Sequence, residues 1–222
     1  MVNQTPAERP AVPEISGISR ADLARIEAAV VDAERSTSAE IVPVIARRSM
    51  YVRHVPVLTG LLMAVFVLLP EVRAGLEMLV PSAWVQWLIE FALVGAGFVA
   101  GLSPFVQRLL ANPRDIAAAV HAKAELEFYR TGVTATTGRT GILLFLSLAE
   151  RRAVVLADEA IAGKLAPETW TQVVNLMIAG GKNGAIADGL IQSIDACGKL
   201  VAPLFPRAKD DRNEIRNQLR IV

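Results

Sequence analysis

Two adjacent carboxylates, Asp158 and Glu159, stand where an apolar, β-branched run ends, and the ends of strands are where α/β folds commonly place ligands. With Asp188 they offer oxygen ligands to a hard divalent cation such as calcium or magnesium, or one of them a general base or nucleophile. The plainer reading is that Asp158 caps the turn leaving the strand while Glu159 is solvated. Arg139 precedes the neighbouring apolar run, and Arg151 with Arg152 follows Glu150 in the turn between the runs. Their guanidinium groups suit a phosphate or a partner's carboxylate; a solvated turn, or an ion pair between Arg139 and a nearby helix, are the competing readings. His54 and His121 have no zinc-ligating spacing with each other or with Cys197, which reads as a small buried thiol. The stretch GGKNG at 180–184 lacks the spacing and the trailing Ser or Thr of a phosphate loop.

These groups need elements to position them. Residues 139–158, RTGILLFLSLAERRAVVLAD, hold two apolar runs of strand length on either side of a charged turn. This pattern predicts strands over 141–148 and 153–157, forming a hairpin at the centre of a sheet. Ser19, with Asp22 three positions on, opens a helix that runs to about residue 35. Residues 40–46, EIVPVIA, read as a strand, with Pro43 placing it near the sheet edge or where no ladder bond is needed. Asn112 and Pro113 start a helix reaching residue 130, and two more are expected over 168–178 and 185–200, joined by a turn at Gly180, Gly181 and Gly184. Residues 1–16 are rich in proline, carry no signal-peptide pattern and read as a disordered tail. Residues 207–222 read as a charged tail extending into solvent.

Composition adds a second demand. The chain has 222 residues, 53% of them hydrophobic, and a mean hydropathy of +0.40, too apolar for an ordinary soluble domain. Its net charge of +1 gives no electrostatic case for nucleic acid. Residues 52–69 and 82–105 are almost wholly apolar, and the first run would make a helix of roughly 27 Å, enough to cross a bilayer core. Together, 51–106 read as a transmembrane hairpin inserted into a discontinuous domain made of 17–50 and 107–206. Gly60 and Ala64 in the first run, and Gly97 and Gly101 in the second, give the small-residue spacing that lets helices pack closely. Glu90 lies inside the second run with Gln86 one turn earlier as its expected hydrogen-bond partner. Trp84 and Trp87 suit the headgroup layer. Arg47, Arg48, Arg53, Arg108 and Arg114 flank the outer ends of the hairpin against Arg73 alone in its connection, which puts both termini and the α/β domain in the cytoplasm.

The segments RTGILLFLSLAERRAVVLADEAI, APETW and GLIQSIDACGKLVAPLFP resemble the TPM domain family, in its bacterial membrane-protein branch; the resemblance covers about 19–46 and 116–206. It implies a three-layer α/β/α domain with a mixed sheet. Some members of that family are acid phosphatases or bind divalent cations, and others associate with membrane complexes. The expectation is an integral, multi-pass protein of the bacterial inner membrane. Its TPM-like domain would be an interaction or accessory module whose partner is another membrane protein or a second copy. The alternative is a metal-dependent, phosphatase-like hydrolase.

Overall fold

The structure is a computed structural model that describes residues 17–50, 54–208 and 212–222; the expected tail over 1–16 and the start of the first apolar run lie outside the described residues. The chain divides into two compact units, Met1–Arg47 with His121–Val222, and Arg48–Val120.

The first unit is built on a four-stranded mixed sheet of order β3-β2-β1-β4, with β1 spanning Glu40–Ala46, β2 Gly141–Ser147, β3 Arg152–Ala157 and β4 Arg220–Ile221. β1 and β2 pair in parallel from Glu40↔Gly141 to Ala46↔Ser147, whereas β2 and β3 form an antiparallel hairpin. β2 is therefore central and β3 is an edge strand, which corrects the expectation that the whole hairpin lies mid-sheet.

One face of β1 and β2 carries Ile41, Ile45, Ile142, Leu144 and Leu146, which enter a dry core with helices α1 (Arg20–Glu34), α8 (Thr171–Lys182) and α9 (Ile186–Val201). The opposite face, with Val42, Val44, Leu143 and Phe145, is at most 1% exposed as well. Burial on both faces explains why these strands read as continuous apolar runs and not as alternating ones. α1 begins at the expected capping box, in which the Asp22 N–H donates to Ser19 Oγ and the Ser19 N–H to Asp22 Oδ2.

Pro43 sits well inside the sheet, and the hydrogen-bond alternation says why it is tolerated. The N–H of Glu40 donates to the Thr140 carbonyl and that of Leu148 to the Ala46 carbonyl, so even-numbered residues of β1 face β2. Odd-numbered ones face β4: the Ile45 carbonyl accepts from Val222 N–H. Pro43 is odd, and its partner on that side is a strand of only two residues starting opposite Val44. The missing donor falls at a boundary of the ladder.

The C-terminal residues do not extend into solvent as expected. β4 pairs in parallel with β1, Leu219 enters the core, and Asn217 is buried. α8 and α9 also differ from expectation. Gly180 and Gly181 lie within α8, and only Gly184, at φ +72°, serves the turn. Gly180 instead lets α8 and α9 touch, because a Cβ there would sit 2.6 Å from the Gly189 Cα.

The second unit is helical. It comprises α2 (His54–Val67), α3 (Pro70–Leu79), α4 (Ala83–Gly101), α5 (Pro104–Leu110) and the start of α6 (Pro113–Arg130). Among the described residues α4 alone is long and apolar enough to cross a membrane; α2 and α3, bent by 68°, pass that test only as a pair. The expected connection after residue 70 is thus a helix. The second apolar run breaks before its expected end at 105, since a residue preceding proline avoids helical ψ and Ser103 has ψ 131°.

Replacing Gly180 by Ala is expected to lower stability by about 1–3 kcal/mol through overpacking against backbone that cannot yield, read as a shift of the unfolding midpoint of the full chain.

Candidate functional site

The hairpin β2–β3 brings Arg139 and Asp158 together. Asp158 is 4% exposed and leaves β3 as the N-cap of the one-turn helix α7 (Glu159–Ala162), its Oδ1 accepting the Glu159 N–H at 2.8 Å. Its Oδ2 is buried and lacks a well-aligned hydrogen bond, but lies 3.3 Å from Arg139 Nε. The ion-pair distance carries more weight than the missing alignment, since Coulomb attraction depends little on angle. Arg139 also reaches Glu159 at 3.5 Å and donates from Nη1 to the Thr134 carbonyl at 2.8 Å. Its backbone sits at φ +52°, held by bonds to Thr136 and Ala160, and this left-handed turn delivers the guanidinium to the carboxylates.

The third candidate metal ligand is not part of this group. Asp188 pairs with Arg25 at 2.6 Å, and Arg25 also holds Asp22, linking α1 to α9. Among the described residues no three His, Cys, Asp or Glu side chains are placed to hold a metal ion. What the three elements assemble is a cation between two carboxylates, an arrangement that fixes the hairpin end.

At the other end of β3, the turn carries Glu150 and Arg151, and Arg152 opens the strand. Glu150 is buried and accepts from Ser147 Oγ, while Arg151 is exposed at φ +52°. Cys197 is fully buried, which pushes its thiol up to about 12 and leaves it unreactive at neutral pH. His121 is exposed on α6 and pairs with Glu125.

A group that sequence reasoning missed lies at the start of β1. Glu34, the last residue of α1, is buried, and its Oε1 accepts the Ile41 N–H at 2.9 Å on the side of β1 that has no strand neighbour there. Its Oε2 accepts from Asn217 Nδ2 at 2.6 Å, and Glu40 accepts the N–H groups of Glu214 and Ile215. Two buried carboxylates thereby replace a missing ladder partner and bind the C-terminal segment across the sheet edge. Burial, with Glu40 adding to it, raises the Glu34 carboxyl from 4.5 to about 7. The capping Asn217 lies inside a run of charged residues, and no local pattern marks it.

In the helical unit, Gly60, Gly97 and Gly101 are buried where α2 meets α4. A Cβ at Gly97 would lie 2.9 Å from Met63 Cβ, and one at Gly101 2.5 Å from Pro56 Cα. Ala64 is half-buried. Glu90 is 7% exposed on α4. Gln86 is not its partner, because Gln86 Nε2 donates to the Val80 carbonyl at 2.6 Å and so closes the turn before α4. The other end of α4 is closed by Gln107, a second residue the sequence did not reveal. Its amide donates to the Gly101 carbonyl at 3.1 Å and accepts from Arg48 at 3.3 Å.

The class these observations define is a mixed α/β domain, interrupted after its first strand by an apolar helical unit. No family profile and no curated protein matches the chain. It is similar in fold to the NMR structure of the BA42 protein from the psychrophilic bacterium Bizionia argentinensis, with a TM-score of 0.58 over 92% of this chain and 95% of that one, at 17% identity. At that identity the likeness concerns the fold alone.

Because the folded Glu34 carboxyl titrates above its ordinary value, the stability it supports is fully present below about pH 4.5 and lost as pH rises through about 7. The expected loss is about 3 kcal/mol at most. Unfolding free energy measured between pH 4 and 9 should fall across that window, and Glu34→Gln should flatten the profile.

Proposed function

We propose that this is a membrane-anchored interaction module: α2 and α4 form a transmembrane hairpin that holds a TPM-like, three-layer α/β/α domain at the cytoplasmic face of the inner membrane, where it serves as an accessory to a membrane complex. The observation that carries the reading is the distribution of exposed apolar side chains. Apart from Val31, Leu126, Tyr129, Leu204 and Val222, every exposed large hydrophobic residue among those described falls between Val57 and Leu110. An apolar exterior of that extent marks a surface meant for lipid or protein.

The details of the unit fit lipid. α4 has 19 residues, a length of roughly 28 Å, close to the hydrocarbon thickness. Gly97 and Gly101 face α2 and most of the large residues of α4 are exposed, as helix pairs in lipid require, where close backbone packing replaces the hydrophobic effect. α3 has no buried residue, and Arg73 lies 6.0 Å over the Trp87 ring, a pairing suited to the headgroup layer. The break after Gly101 would leave helix carbonyls open, and Gln107 answers the Gly101 carbonyl.

A metal-dependent phosphatase is the weaker reading. It needs Asp158 and Glu159 available to a cation, and Arg139 already lies against both. An open depression along α8, lined by Glu168, Gln172, Asn175 and Leu176, carries one ionisable side chain. If the chain hydrolysed a generic phosphoester, and lost that activity on chelation and in Asp158→Asn, the enzyme reading would take precedence.

For the anchored reading, the chain should remain in membranes after alkaline carbonate washing. Single cysteines at Met78, 88% exposed, and at Lys199, whose side chain is 75% exposed, should react with an impermeant maleimide from opposite sides, Lys199 from within. Labelling of both from one side would contradict the proposal.

A further inference from the structure

The outer edge of the sheet is open and self-complementary. In the strand ladder β3 pairs with β2 alone among the described residues. The Asp158 N–H donates to the Gly141 carbonyl, so by the alternation of an antiparallel ladder residues 152, 154, 156 and 158 face β2. Ala153, Val155 and Ala157 consequently turn their N–H and C=O groups outward. The strand has no proline and no charge between Ala153 and Ala157, and all six of its residues are half-buried. Those are the devices proteins use to blunt an edge, and here they are missing.

Charge is confined to its two ends and is opposite in sign. Glu150, Arg151 and Arg152 precede the apolar residues with one positive charge in excess, and Asp158 and Glu159 follow them. At the acidic end one guanidinium, from Arg139, faces two carboxylates, leaving a negative excess. We infer that β3 pairs with β3 of a second copy of this chain, antiparallel about a two-fold axis at Val155, so that one sheet runs through the dimer.

The register follows from the outward groups. Bonded pairs must join odd-numbered residues, and centring them on Val155 sets Ala153 against the partner subunit's Ala157. Three such pairs exchange two bonds each, about six in all. The same register puts Arg151 beside the partner's Glu159, whose side chain is exposed. Sliding by two residues either way sets Arg151 against alanine or isoleucine of the partner. Only the symmetric register satisfies both the main chain and the charges, and a two-fold axis repeats each benefit. Because the pairing draws on the α/β unit alone, it stands or falls separately from membrane insertion.

Sedimentation equilibrium of the full chain in density-matched detergent micelles tests this. The wild-type chain should dimerise reversibly. Arg151→Glu and Glu159→Arg should each weaken association roughly tenfold, since every dimer contains the contact twice, and the double reversal should restore it. Val155→Pro removes an outward N–H and spares the β2 ladder, so it should abolish dimers while the unfolding midpoint stays near that of the wild type. A wild-type chain that remains monomeric would overturn the proposal, as would dimers untouched by Val155→Pro or a double reversal that restores nothing. Should Val155→Pro fail to fold, the charge reversals decide alone.

Discussion

The parallel pairing of β1 with β2 is the constraint on which the rest of the structure depends. Seven residues on each side, separated by almost half the chain, lie in register with both faces shut off from water. Parallel neighbours always need a crossover, and here the crossover contains an entire helical unit before α6 returns the chain to the sheet. Length itself is a small obstacle, since closing a flexible connection costs only about 0.6 kcal/mol for each doubling of its length. What the sheet demands is that both ends of the insertion return to it, and the bonds from Leu148 to Ala46 and from Arg47 to Val222 show the departing end anchored on both sides.

A second constraint follows from the first. A central strand must satisfy donors on two sides, yet β4 is too short to match β1 along its length. Glu34 answers for the donor of Ile41, and Glu40 binds the backbone of the C-terminal segment that crosses above it. Polar groups inside the fold are thus satisfied by side chains where strands run out. The cost is a carboxyl held in an apolar setting, which ties the closure of the sheet edge to pH.

Where local chemistry determines an element, the sequence was legible. The bounds of β1 were readable from EIVPVIA, the α1 cap from Ser19 and Asp22, and the hairpin from two apolar runs around a charged turn. What could not be read depended on distant partners. β4 is two residues inside a charged segment and exists because β1 has a free side. Gly180 looked like a turn residue because only its contact with Gly189 distinguishes close packing from flexibility. The candidate ligands Asp158, Glu159 and Asp188 were grouped by type and position, whereas the fold gives Arg139 to the first two and Arg25 to the third. Within the helical unit, the small-residue spacing identified the side chains that meet, but Pro104 cuts the second run short and the connection between the runs is the helix α3.

The two units differ in the surface they expose. The α/β unit hides its apolar groups inside, and the helical unit turns them outward. Strands from either side of that insertion form one cooperative core, and native-state hydrogen exchange of the full chain measures this directly. The amides of Val44 in β1 and of Leu143 and Phe145 in β2 should open together, with one free energy equal to that of global unfolding. Exchange at Val44 through a separate, lower-energy opening, while Leu143 and Phe145 stay protected, would contradict it.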